Sequence, residues 1–341
     1  MMSQAHHLLP AIITLHDRIR DSVVDACEQQ HADQMAEVAH DDVGDTIYAV
    51  DKVSERTLID GLGDIAFDEP LCLVAEGLPP EGLVLPIGAS ERDCKWRFLV
   101  DPIDGTRGLM YQKRPAWILT GVAPNRGADT TLRDIVLAVQ TEIPLVKQHL
   151  CDQLWAERGE GGEARRINRI TGTSEALTLR PSRADTITHG FASVARFFPG
   201  ARDILAAIDD EIALAVEGQP APGKALCFED QYISTGGQLY ELMAGHDRFI
   251  ADIRPLLKDT LTKRGWHTML CCHPYDLCTV LIAEELGLVV TDAQGFTLNA
   301  PFNLEADVAW VGYASERLRS RVEPALHAAL ASRGMLGMLA Q

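Results

Sequence analysis

Long hydrophobic runs are missing from these 341 residues: no apolar stretch approaches the roughly 18 residues that would span a bilayer. The opening MMSQAHHLLPAIITLHDRIR lacks a basic n-region and a small-residue cleavage site, which argues against a signal peptide and for a cytoplasmic protein. Cysteine is sparse: 8 residues do not make a disulfide scaffold, and reduced, mostly buried thiols are expected. Positive charge is also short, with 31 Lys and Arg against 49 Asp and Glu, a formal net charge of −18. Such a surface repels phosphate backbones and excludes general nucleic-acid binding. It repels a small phosphorylated substrate too, unless bound cations reverse the field locally. There is no GxxxxGK, no dinucleotide glycine fingerprint, no internal repeat and no low-complexity segment. Cys271, Cys272, His273 and Cys278 of CCHPYDLC are soft-metal ligand types, but they lack the two-residue gap of a zinc knuckle, so zinc is not expected there.

What is present is an ordinary core composition, 46% hydrophobic and 23% charged, in a chain long enough for one large domain or two. Ile12, Leu15, Ile19, Val23 and Cys27 share a helical stripe over residues 11–27. Val50, Val53, Thr57 and Leu58 predict a second helix over 50–61, with Gly61 and Gly63 as its stop signals. Short apolar runs predict strands at 71–77, 95–100, 117–123, 134–142 and 152–159, the last ending in a turn, GEGGE. Helices are predicted over 201–216, in STGGQLYELMAG and across PYDLCTVLIAEEL, with strands in DRFIAD and GLVVTD. The polar stretch RPSRADTITHG places a boundary near residue 180. It divides an N-terminal α+β part, 1–180, from a C-terminal α/β part, 181–341.

The stretch FLVDPIDGTRGL runs an apolar strand into two aspartates and then glycine. Side chains three apart on a strand point to opposite faces, so Asp101 and Asp104 converge only if the chain turns between them. Pro102 favours an extended Asp101, and Gly105 permits a sharp turn. Two carboxylates delivered to one point need a positive partner, and a hard divalent cation such as Mg²⁺ suits such oxygens. Asp, Pro and Gly are also what plain turns are made of.

Three further segments accompany this one. VDPIDGT resembles the first signature of the inositol monophosphatase family, the Mg²⁺-dependent, lithium-sensitive sugar-phosphatase superfamily. HPYDLCTVLIAEELGLVVTDAQG resembles the second, with Asp276 in its aspartate position. LVAEG is similar to the segment carrying the metal-binding glutamate, here Glu76, and DTIYAVDKVSERTLI to the N-terminal motif whose aspartate is Asp51. Order and spacing hold over roughly residues 10 to 315. The resemblance implies a layered α/β/α/β/α sandwich with two mixed sheets and helix pairs, assembled as a homodimer. Most metal ligands would sit in the N-terminal part, with the C-terminal part completing the site and pocket.

The resemblance also implies the chemistry. Glu76, Asp101, Asp104, Asp276 and the Ile103 carbonyl would hold two or three Mg²⁺ ions, with Mn²⁺ able to substitute. Asp51, Thr106 and Asp104 would be catalytic, Thr106 and Asp51 orienting the attacking water. Gly105, Thr106, Gly236, Asp252 and Asp276 would contact the substrate, a small polyol or sugar phosphate. A 3′(2′),5′-bisphosphate nucleotidase, a fructose-1,6-bisphosphatase-like enzyme and a non-catalytic phospho-ligand binder are the alternatives. The chain departs from the family at Gly77, where a second glutamate is usual, and at Tyr275, where tryptophan is usual. Arg107, Lys113 and Arg114 offer cations beyond DGT. The long segment between Asp252 and Asp276 is a lid, a dimer contact or an added surface helix.

Overall fold

Ile12, Leu15, Ile19 and Val23 all lie buried on the inner stripe of helix α1 (Leu9–Gln29). The computed structural model describes residues 5–29, 38–41, 46–48, 51–67, 69–267 and 269–336; Asp45, Ala49 and Val50 of the N-terminal motif lie outside the described residues. Helix α2 (Asp51–Ala66) packs beside α1. It does not stop at Gly61 or Gly63 as the sequence predicts. A Cβ built on Gly61 would fall 2.5 Å from Leu15 Cδ1, whereas one on Gly63 meets nothing within 4 Å. At Gly61 the two helices approach too closely for a side chain, and the helix tolerates both glycines because tertiary packing holds it. Gly61→Val is expected to cost about 1–3 kcal/mol in chemical denaturation. Gly63→Ala should gain about 0.5–1 kcal/mol. Equal stabilities for the two variants would contradict this packing.

These helices cover one face of an eight-stranded mixed sheet ordered β10-β9-β8-β7-β6-β5-β3-β4. A separate antiparallel pair comprises β1 (Val38–Asp41) and β2 (Thr46–Tyr48). The sheet's strands are β3 (Leu71–Ala75), β4 (Leu83–Leu85), β5 (Trp96–Asp104), β6 (Ala116–Pro124), β7 (Leu137–Ile143), β8 (Leu150–Glu157), β9 (Gly161–Asn168) and β10 (Thr173–Ala176). Among the described strands of this sheet only β3 and β5 pair in parallel. GEGGE is not all turn: β9 begins at Gly161, paired with Glu157. Its polar, half-buried sequence GGEARRIN conceals the alternation that marks a strand. The strand predicted from residue 134 begins at Leu137, since Leu132–Asp134 form a 3₁₀ turn closed by Thr131 and Asp134.

The second sheet, ordered β11-β12-β14-β13, contains β11 (Phe191–Val194), β12 (Asp247–Asp252), β13 (Val289–Thr291) and β14 (Trp310–Tyr313). Short helices α3 (Thr106–Met110) and α6 (Lys258–Lys263) lie in connections, and α4 (Arg202–Glu217) packs on this sheet's outer face. Helices α5 (Thr235–Met243) and α7 (Val280–Glu285) lie between the sheets, sharing a core with Leu99 and Leu119 on one side and Ile250 and Trp310 on the other. Helix α8 (Glu316–Ala331) joins α4 on the far face over Phe249, Val311 and Tyr313. The result is the expected α/β/α/β/α sandwich. The helix predicted across Pro274–Leu286 is broken into a 3₁₀ turn, Pro274–Leu277, and α7. Among the described residues no helix is long and apolar enough to cross a membrane.

Candidate active site

Strand β5 does not turn after Asp101 as the sequence predicts. It continues to Asp104, and its pairing with β6 shifts: Asp101 faces Leu119 while Asp104 faces Trp117, three residues of one strand against two of the other. The extra residue is a β-bulge, which restores the parity that would have sent the two carboxylates to opposite faces. Both are buried, Asp101 to 1% and Asp104 to 6% exposure. Gly105 follows with φ of 97°, the left-handed conformation that glycine adopts without strain, and caps α3.

Asp104 is held from the middle layer. The Ser234 hydroxyl and the Gly236 N–H donate to its Oδ2 at 2.9 and 2.6 Å, and the Thr235 N–H to its Oδ1 at 3.3 Å. These donors belong to the first turn of α5, where backbone N–H groups have no helical partner. Gln140 Nε2 donates to the Gly236 carbonyl, and Gln140 Oε1 accepts from Thr279, tying α5 and the second motif to β7. Asp276 sits in the 3₁₀ turn, its Oδ2 accepting the His273 N–H at 2.6 Å. One oxygen each from Asp101, Asp104 and Asp276 lies within 4.8 Å of the others. Glu76, placed by its N–H bond to the Val100 carbonyl, adjoins Asp101 just outside that trio. Thr106 Oγ1 stands 2.9 Å from both Asp51 Oδ1 and the Ile103 carbonyl, either of which can accept its proton.

Burial, and then the charge of Asp276, pushes the Asp104 carboxyl from an ordinary 3.8 up to about 8, against the pull of its three donors. Asp101 is raised by burial, Asp104 and Asp276 together. The cluster therefore wants a cation or a proton. Its donors are hard oxygens, three of them mutually close, which suits Mg²⁺ or Mn²⁺. A proton binds Asp104 more tightly in the folded than in the unfolded chain. That contribution to stability is complete below about pH 4 and is lost as pH rises through about 8. In chelator the melting temperature should fall over that window, and millimolar Mg²⁺ should raise it by several degrees at pH 8 but little at pH 5. A Mg²⁺ shift independent of pH would contradict the assignment.

All the predicted catalytic and metal residues, Asp51, Glu76, Asp101, Ile103, Asp104, Thr106 and Asp276, line one open cleft, as does Gly105. Two predicted substrate residues do not line it. Gly236 lies beneath, where a Cβ would stand 2.6 Å from Leu119 and 3.0 Å from Asp104 Oδ2. Asp252 is fully buried in a bidentate pair with Arg254, at 2.8 and 2.5 Å, and Arg254 lines the cleft in its place. The segment after Asp252 makes a 3₁₀ turn and α6 and then returns, Leu270 to His273 forming a cleft wall. Arg107 is in the cleft, whereas Arg114 pairs with Asp230 and stacks on Tyr232. Sequence reasoning missed Ser234, Phe197, Phe198 and Arg254. Only Ser234 carried a readable signal, a helix-capping hydroxyl ahead of TGGQ.

No family model matches the chain, and no curated protein matches it in sequence. Solved structures do match in three dimensions. The fructose-1,6-bisphosphatase of Leishmania major superposes with a TM-score of 0.69 at 12% identity, over 97% of this chain and 96% of its own. The extragenic suppressor protein suhB of Bartonella henselae gives 0.61 at 16%, over 94% and 98%. The IMPase of Thermotoga maritima gives 0.59 at 15%, over 95% and 98%. At such identities the likeness establishes a common fold over nearly the whole chain.

Proposed function

We propose that this chain, which has the fold of inositol monophosphatases and fructose-1,6-bisphosphatases, is a divalent-metal-dependent phosphomonoesterase of that superfamily. Its substrate is a small phosphorylated metabolite, polyol and sugar phosphates being the first to try. The convergence of Asp101, Asp104 and Asp276 in a cleft supports this most directly. Those three, with Glu76 and the Ile103 carbonyl beside them, would hold Mg²⁺. Cations there supply the positive field that a chain of net charge −18 otherwise lacks, and they ease the deprotonation of water.

The chain's own groups supply the rest. The Thr106 hydroxyl takes a proton from the attacking water as it passes its own to Asp51, whose Oδ1 is already 2.9 Å away. Backbone N–H groups at Gly105 and Thr106 hold phosphate oxygens. Ser234 and α5 fix the Asp104 carboxylate, so the site is set before substrate arrives. The test is phosphate release from inositol 1-phosphate, fructose 1,6-bisphosphate and a 3′,5′-bisphosphate nucleotide, with Mg²⁺ and with excess chelator. Release that needs Mg²⁺ and falls with millimolar lithium supports the reading. Release undiminished in chelator, or none from any ester with Mg²⁺ or Mn²⁺, overturns it; the second result would leave a phospho-ligand binder.

A further inference from the structure

Part of the cleft lining is apolar, where a polyhydroxylated leaving group needs hydrogen-bond partners. The side chain expected to accept hydroxyl protons, Asp252, is 0% exposed and spends both oxygens on Arg254. In its place the cleft presents Phe197 and Phe198, both part-exposed, with Ile233 and Leu270. The phenyl rings stand edge to face, centroids 5.0 Å apart and planes at 84°. Guanidinium groups that also line the cleft lie over these rings: Arg254 is 4.2 Å from the Phe197 centroid and 5.4 Å from that of Phe198, and Arg107 is 5.5 Å from the latter.

This wall is built rigidly. Arg202 donates to the carbonyls of Arg196, Phe197 and Phe198. The Arg196 N–H donates to Gln231, and its side chain pairs with Asp209 and Glu229. Arg254, its charge answered by Asp252, also donates to the Leu270 carbonyl at 2.7 Å. Two rings fixed at right angles form a corner: a flat ring laid on one meets the other edge-on, the arrangement aromatic groups prefer. A puckered, hydroxylated ring can rest C–H groups on one phenyl but gains no aromatic pairing with either, and it leaves hydroxyls against carbon. Apolar surface held open inside a cleft is surface for a ligand to cover.

We infer that the phosphate monoester taken by this site has a leaving group bearing a planar aromatic ring, held in the corner of Phe197 and Phe198. The inference rests on the phosphatase reading above. Water adds to phosphorus, the bond from phosphorus to the ester oxygen breaks, and the aromatic alcohol leaves with the proton while inorganic phosphate remains.

The test compares benzyl phosphate with cyclohexylmethyl phosphate in Mg²⁺, because both release primary alcohols of similar reactivity. The wild type should favour the benzyl ester by about tenfold in kcat/KM, mainly through KM. Phe198→Leu, which keeps apolar bulk, should bring that ratio down to about two. Calorimetry with benzylphosphonate and cyclohexylmethylphosphonate should show the same preference in binding, independent of turnover. Equal kcat/KM for the two esters, equal affinity for the two phosphonates, or a ratio unchanged by Phe198→Leu overturns the inference and leaves the phosphatase reading standing. Hydrolysis of neither ester, nor of any in the wider panel, removes the phosphatase reading itself.

Discussion

Asp104→Asn lowers phosphatase turnover at least ~10²-fold while the chain still folds, because a charge that organises cations acts mainly in the transition state. The substitution is nearly isosteric. With its carbonyl in the place of Oδ2, an asparagine still accepts from both the Gly236 N–H and the Ser234 hydroxyl and loses only the long contact with the Thr235 N–H, so the link between β5 and α5 survives. What disappears is one of three carboxylate charges, two buried and one half-buried, whose oxygens lie within 4.8 Å of one another. Relief of that repulsion should make the variant at least as stable as the wild type in chelator at pH 8, while the Mg²⁺-induced rise in melting temperature shrinks. Turnover and melting curves on the same preparation separate loss of chemistry from loss of fold. Undiminished turnover would take Asp104 out of the mechanism.

Arg254→Leu is expected to destabilise the protein by about 3–5 kcal/mol, since it strands a fully buried carboxylate without its guanidinium. The Leu270 carbonyl loses its donor and Phe197 its cover. Replacing both partners, Arg254→Leu with Asp252→Leu, should recover most of the loss, because the penalty comes from the unpaired charge rather than from the missing pair. Chemical denaturation of both variants decides it. A single variant within about 1 kcal/mol of wild type would mean that Asp252 finds water or another donor.

How much of this was readable in the sequence depends on the distance over which each feature is specified. Asp51, Glu76 and Asp276 were named through the resemblance of their segments, whereas Asp101 and Asp104 stand out in VDPIDGT itself, where proline and glycine mark the chain locally. The amphipathic helices α1, α2 and α4 were readable for the same reason. The bulge in β5 was not, since register depends on β6 and nothing in VDPID alone requires an extra residue. Phe197 and Phe198 lie in a loop fixed by Arg202 and Gln231, contacts that no periodicity announces. Asp252 was expected to contact substrate from the family resemblance, which does not reveal an arginine two residues on folding back over it. Gly61 looked like a stop because the residue it makes room for, Leu15, belongs to another helix.

The central claim is that Asp101, Asp104 and Asp276 share divalent cations. Anomalous diffraction from crystals grown with Mn²⁺ and a phosphate analogue tests it most directly. Manganese peaks within bonding distance of all three carboxylates, with the analogue beside them and Thr106 facing it, are the predicted result. Fully occupied phosphate with no manganese between those aspartates would contradict the account.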